Sequence, residues 1–153
     1  MAGLEIKELT ESQQVDELLP LFEAYRAFYR KTPNRQSRSF LIERIQSEDA
    51  AVFLACVDGQ PVGFVQLFKT FSSTRLRPLW ILNDLYTKEE FRNQSIGAYL
   101  IEKSKELAKE TDACGLMLET EKSNDPGNHL YPAAGFKLMD KVNHYFWINT
   151  ASE

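Results

Sequence analysis

The sequence predicts an α/β chain, a mixed sheet with helices on both faces, and three observations carry that prediction. Apolar residues recur every three or four positions before residue 47 and in strand-like runs from residue 52. Asp58-Gly59 joins two of those runs by a tight turn. The apolar run at 79–86 passes through a short polar loop straight into the clearest amphipathic helix of the chain.

Taken in order, residues 4–9 read as a short strand led by Leu4 and Ile6. Val15, Leu18, Leu19, Phe22, Tyr25, Phe28 and Tyr29 form one face of a helix that should begin at Ser12, with Pro20 predicting a kink or break. Phe40, Leu41, Ile42 and Ile45 predict a second helix over 39–46. Residues 52–57 and 61–69 make a hairpin, and 79–86 is apolar enough for a central strand. Over 95–110, Gly97, Leu100, Ile101, Ser104, Leu107 and Ala108 share a helix face, with Glu102/Lys105 and Glu106/Lys109 paired outside. A strand over 115–120, a short helix over 125–134 closed by Gly135, and a hairpin of 136–141 with 144–148 complete the order βααβββαβαββ.

A chain of 153 residues fits one domain, spanning 1–153, and can bury about two-thirds of its unfolded surface. Its 43% hydrophobic and 26% charged residues are ordinary globular values, and no run of 18 apolar residues suggests a membrane span. Met1 to Ile6 lack a basic and an apolar export signal, so the expected location is the cytoplasm. Cys56 and Cys114 read as reduced thiols. The net charge of −4 argues against general nucleic-acid binding and favours approach of a cationic amine. His129 and His144 are not at metal-ligand spacing with acidic partners, and no metal is assigned.

The most informative segment is Leu82-Asn83-Asp84-Leu85-Tyr86-Thr87, followed by Phe91-Arg92-Asn93-Gln94-Ser95-Ile96-Gly97-Ala98-Tyr99-Leu100. A loop of small residues opening a helix can hold an anion against unpaired N–H groups and the positive end of the dipole. Arg92 adds a fixed charge. The segment lacks the Gly-x-x-x-x-Gly-Lys-Ser/Thr run of a nucleotide triphosphatase, and its single glycine does not make a dinucleotide fingerprint.

Arg92-Asn93-Gln94-Ser95-Ile96-Gly97 resembles the Arg/Gln-x-x-Gly-x-Gly/Ala signature of the GNAT superfamily of N-acetyltransferases, with Ser95 where that family usually has its first glycine. About thirty residues on, Asn124-Asp125-Pro126-Gly127-Asn128-His129-Leu130-Tyr131 and then Gly135-Phe136 are similar to the family's Asn-x-x-Ala-x-x-Leu-Tyr followed by Gly-Phe. The resemblance covers residues 52–147. It implies a mixed, mostly antiparallel central sheet flanked by helices, and an enzyme using acetyl-CoA as co-substrate.

The resemblance also implies roles. Arg92, Asn93, Gln94, Ser95, Ile96, Gly97 and Ala98 would hold the coenzyme's phosphates, and Asn124 its pantetheine arm. The backbone of Leu85, Tyr86 and Thr87 would pair with the pantetheine amides and hold the thioester carbonyl. Tyr131 would protonate the departing thiolate. By periodicity alone Tyr131 is an aromatic residue packing a helix end, and Asn124 alone is a turn residue. Gly127, where the family commonly has Ala, should weaken the helix, and Pro132 should place Tyr131 in its last turn or just past it.

Acetylating an ammonium of pKa about 10.4 at pH 7 requires roughly 4.6 kcal/mol of deprotonation, which a base must supply. Asp84 is chosen for that role over Glu119 and Glu121. Recognition of the amine should fall to the first two helices and the loop 71–78; Arg26, Arg30, Lys31, Arg35 and Arg38 cluster there with Tyr25, Phe28 and Tyr29, either as a solvated basic face or as a site for an acidic acceptor. The activity expected is acetyl transfer to a primary amine of a small molecule, polyamine-like or amino-acid-like, or of a basic peptide or protein tail. The alternatives are a catalytically silent acyl-CoA sensor and a structural domain without ligand. Tyr145-Phe146-Trp147 could supply a dimer edge.

Overall fold

The structure is a computed structural model, and it describes residues 2–152, the side chain of Ser152 excepted. These fall into two compact units divided after Thr120.

In the first unit β1 (Leu4–Glu8), α1 (Val15–Phe28), α2 (Ser37–Gln46), β2 (Ala50–Val57), β3 (Gln60–Ser72), β4 (Arg77–Thr87), α3 (Ile96–Glu110) and β5 (Leu116–Met117) follow in order. The strands lie side by side in chain order, antiparallel from β1 to β4, with β5 parallel to β4. Sheet and helices together give the mixed, mostly antiparallel α/β fold that the sequence predicts. Asp58 and Gly59 both take positive φ, 49° and 81°, as a two-residue hairpin turn of the type whose twist matches the strands it joins.

Strand alternation assigns the two faces. Val52, Leu54, Cys56 and Phe64 bury against Val15, Leu18, Leu21 and Phe22 of α1 and Leu41 and Ile45 of α2. The alternate residue Phe53 lines a cavity with Lys103 and Leu107 of α3, whose own buried face is Ile96, Leu100, Ile101, Ser104 and Ala108. At about 1.5–3 kcal/mol for each large apolar side chain, these two layers fix the register of every strand.

The helix expected to start at Ser12 begins as a 3-10 turn, Ser12–Gln14, with Gln14 Oε1 accepting from the N–H groups of Thr10 and Glu11 at 2.9 Å. Pro20 does not break α1. It stands on the exposed side, where the carbonyl it deprives of a partner can bond water, while Leu18, Leu21 and Phe22 hold the other side to the sheet.

The second unit contains α4 (Asp125–Ala133) and a 3-10 turn at Thr150–Ser152. The expected hairpin of 136–141 with 144–148 does not form: residues 136–149 carry no strand, and Leu138, Met139, Tyr145, Phe146 and Trp147 are exposed. Alternation reports a preference for extended backbone, not a partner. A two-stranded hairpin is marginal alone, and Asp140-Lys141-Val142-Asn143 offers no glycine for a tight turn. The strand expected over 115–120 is likewise cut to Leu116–Met117, because β4 pairs with it only at Trp80 and Ile81. No helix of the described residues is long and apolar enough to cross a membrane.

Candidate active site

The end of β4 is shaped by a bulge. Its ladder with β3 pairs Leu67 with Leu82 and Gln66 with Asp84, which leaves Asn83 as the extra residue. Past the bulge Val65, Phe64 and Gly63 face Leu85, Tyr86 and Thr87. On its other side β4 has no strand partner past Ile81 among the described residues, so Leu82 to Thr87 form an open edge with backbone donors and acceptors to offer. Gly63 allows this packing: a Cβ there would stand 2.8 Å from the carbonyl oxygen of Tyr86 and 3.5 Å from Ile96 Cγ2.

The chain leaves β4 through a 3-10 turn at Glu89–Phe91 and enters α3 at Ile96. Asn93 and Ser95 both take left-handed backbone, φ 63° and 65°. Ser95 therefore keeps the conformation a glycine favours, at the strain a side chain brings there. Its hydroxyl does not cap the helix, whose first turn presents N–H groups without intrahelical partners. Arg92 ties the loop back to the strand: its Nε donates to Thr87 O at 3.0 Å and its guanidinium stacks 5.6 Å from the Tyr86 ring centre. Gln94 Nε2 donates to Glu90 O at 3.4 Å, and Gly97 and Ala98 lie half-buried in the first turn.

Asp84 is buried, at 7% exposure, on the α1/α2 face of the sheet. Its carboxylate accepts from Gln66 Nε2 at 2.7 Å and from Asn83 Nδ2 at 3.1 Å to each oxygen. Gln66, 1% exposed, is the partner of Asp84 that the sequence reading missed; a polar position inside the otherwise apolar run 62–68 of β3 was its signal. Glu119 is exposed and lies past the end of β5. The basic cluster is partly spent on internal bonds: Arg26 pairs with Glu23 and donates to Thr32 O, and Arg38 pairs with Asp16. Glu23 also accepts from Ser37 Oγ at 2.6 Å and Asn34 N at 2.9 Å, which closes the α1–α2 connection.

In the second unit Asn124 and Tyr131 come together over Gly127. Asn124 Oδ1 accepts from Gly127 N at 3.3 Å as the cap of α4, and a Cβ on Gly127 would meet Asn124 Nδ2 at 2.5 Å and Tyr131 Cε2 at 3.3 Å. The glycine that weakens the helix is what lets both side chains cross it. Tyr131 lies in the last turn, as Pro132 predicts. Phe136 N donates to Tyr131 O, Gly135 N to Pro132 O, with Gly135 at φ 98°, and the Tyr131 and Phe136 rings meet edge to face at 5.8 Å. This is a Schellman end with its hydrophobic contact, and it fixes the Tyr131 backbone and ring. Glu121 also belongs to this unit, exposed.

An open strand edge for an extended amide-bearing arm, next to an uncapped helix terminus for phosphates, suits an acyl-coenzyme A transferase. Known proteins narrow that class. The description of the Acetyltransferase (GNAT) family matches residues 18–136, and the chain belongs to that family; it is an N-acetyltransferase. It is 33% identical over 129 residues to the uncharacterized N-acetyltransferase YhfO of Bacillus subtilis strain 168, covering 84% of this chain and 87% of that protein. It is 32% identical over 133 residues to a probable acetyltransferase of Haemophilus influenzae, covering 86% and 89%. A crystal structure of a probable acetyltransferase superposes with a TM-score of 0.89 at 33% identity, over 95% of this chain and 98% of the other.

Proposed function

We propose that the protein transfers the acetyl group of acetyl-CoA to a primary amine, of a small polyamine-like or amino-acid-like molecule or of a basic peptide or protein tail, by direct attack in a ternary complex. The observation that carries the reading is Asp84: a buried carboxylate on the open edge of β4, one residue before Leu85–Tyr86–Thr87. Asp84 takes one proton from the acceptor ammonium, directly or through water. The freed lone pair forms a C–N bond to the acetyl carbon as the C–S bond breaks, and the sulfur leaves with the electron pair. Tyr131 O–H gives a proton to that sulfur, the acylated nitrogen loses its second proton, which restores Tyr131 through water, and Asp84 releases the first to solvent. Backbone groups of Leu85, Tyr86 and Thr87 bind the pantetheine arm by strand addition, Asn124 contacts that arm, and the segment from Arg92 to Ala98 binds the pyrophosphate.

Support for one acetyltransferase domain over 1–153 comes from the family match, which runs across the boundary at Thr120. An N-alpha-acetyltransferase of Sulfurisphaera tokodaii is 30% identical over 121 residues, which keeps a peptide amine among the acceptors. A homodimer through the exposed aromatic segment Tyr145-Phe146-Trp147 is a further expectation, tested by light scattering.

The test is acetyl-CoA binding by calorimetry together with thiol release over a panel of polyamines, amino acids, aminoglycosides and lysine peptides, for wild type and Tyr131→Phe. Turnover of one class by wild type, with normal binding and a lost rate in Tyr131→Phe, supports the enzyme and the acid. Binding without turnover on any amine favours the silent sensor, and no binding overturns the reading.

A further inference from the structure

The neighbourhood of Asp84 contains more hydrogen-bond acceptors than the protein itself uses. Among the described residues Gln66 Oε1 is buried without a hydrogen-bond partner, although its residue is 1% exposed and a buried oxygen is costly to leave unpaired. The amide cannot simply turn over, because its Nε2 is held by Asp84 Oδ2 at 2.7 Å; reversed, two oxygens would face each other. Asp84 has no ion-pair partner among the described residues, and its donors are two neutral amides. Three hydrogen bonds reach a carboxylate that offers about four lone-pair sites. The sheet thus buries a carboxylate without a cation and an amide oxygen without a donor, cross-strand from each other.

We propose that Gln66 Oε1 and Asp84 form the acceptor subsite, with Gln66 as a substrate-binding residue that selects a primary alkylammonium by accepting one of its N–H bonds. The inference rests on the acetyl-transfer reading above and deepens it. A primary ammonium carries three donors; the two acceptors here take two and leave one outward. A quaternary nitrogen carries none. The next cross-strand pair on the same face, Phe64 with Tyr86, lies beside this polar pair, and Tyr25 of α1 packs edge-on to both rings at 5.7 and 6.2 Å. Those rings give the methylene stem of the amine an apolar wall. The remaining 7% exposure of Asp84 gives the pair a point of access from solvent. The bulge at Asn83 enables the arrangement, since it resets the alternation so that Asp84 faces α1 and α2 opposite Gln66.

Calorimetry with butylammonium and butyltrimethylammonium in the presence of CoA, on wild type, Gln66→Met and Gln66→Glu, tests this. Wild type should prefer the primary ion by at least about tenfold. Gln66→Met, close in size but without the acceptor, should lower that preference to what Asp84 alone gives. Gln66→Glu, which keeps an acceptor oxygen there, should retain it. A role limited to holding Asp84 through Nε2 predicts equal loss in both variants and overturns the inference. So does equal binding of the two ions, or no binding of either, since a structural water would then satisfy the oxygen. Acetyl-CoA affinity and thiol release measured alongside separate the two failures: if both persist while ion preference is indifferent to Gln66, the subsite alone is wrong, and if acetyl-CoA does not bind, the transfer reading fails.

Discussion

Gly63→Ala tests the packing that shapes the proposed thioester edge. The added Cβ would lie 2.8 Å from the Tyr86 carbonyl oxygen, 3.3 Å from Thr87 Oγ1 and 3.5 Å from Ile96 Cγ2. The first contact is with backbone, which cannot rotate aside, and ordinary contacts to carbon lie at about 3.5 Å, so β4 must retreat by about half an ångström or more. Overpacking of this kind costs about 1–3 kcal/mol, against about 0.4–1 kcal/mol gained because alanine restricts the unfolded chain. The net is a loss of up to roughly 2.6 kcal/mol, or a fall in Tm of up to about 10 °C at this chain length. Because the displaced atoms belong to Tyr86 and Thr87, KM for acetyl-CoA should also rise. Thermal unfolding and initial-rate kinetics read the two effects. A variant that melts at or above wild type with unchanged KM would refute the reasoning, because it would mean that β4 moves without cost and that its position does not matter to the coenzyme.

Ser95→Gly should raise stability by about 0.5–1 kcal/mol in urea unfolding while preserving acetyl-CoA affinity, since Ser95 already sits at φ 65°. Thr111→Val should cost about 1–3 kcal/mol, because Trp80, 3% exposed, donates its indole N–H to Thr111 Oγ1 at 2.9 Å and would be left without an acceptor. Burial pushes the Glu23 carboxyl up, but hydrogen bonds from Ser37, Asn34 and Arg26 outweigh it and hold it below the usual value. The folded state therefore binds this proton less readily than the unfolded chain, and the contribution is complete above the unfolded carboxylate pKa of about 4.3 and fades as pH falls below it. Glu23→Gln should thus be less stable at pH 7, with the gap narrowing in acid; a gap independent of pH would contradict this. Burial also raises the Cys56 thiol, so iodoacetamide at pH 8 should leave Cys56 unlabelled in the native protein and label it once unfolded.

The elements legible in the sequence are those whose signal is local. Alternating and continuous apolar runs located β2, β3 and β4, and Asp58-Gly59 marked the hairpin turn. The α3 face read from Leu100, Ile101, Ser104 and Ala108 is the buried one. The errors fall where a partner decides. The residues past Met117 and those at 136–149 have strand-like composition, but strand pairing is non-local and no window of sequence reports it. Pro20 leaves α1 unbroken for a related reason: what matters is which side of the helix lacks the hydrogen bond, and packing sets that.

For the site, the motif fixed positions along the chain, while the chemistry depends on neighbours across the sheet. Asp84 was visible as a carboxylate in an apolar run; its amide partner Gln66 stands eighteen residues earlier and is joined to it only by the β3–β4 register. A one-residue bulge decides that register, and without it Asp84 would face α3 rather than α1 and α2. The two departures from the family pattern acquire physical meaning at the same level. Ser95 holds a glycine's backbone conformation, so the loop keeps its shape at a cost in strain. Gly127 gives up helix propensity, and the space a Cβ would fill is occupied by the Asn124 amide and the Tyr131 ring. Gly127→Ala should therefore disturb both side chains: restored helix propensity favours the variant by about 1 kcal/mol, but a Cβ at 2.5 Å from Asn124 Nδ2 forces that amide away from its place over the helix. A rate loss in a variant of unchanged or greater stability is the expected result, and a wild-type rate would show that the placement of Asn124 and Tyr131 over Gly127 is not what the reaction needs.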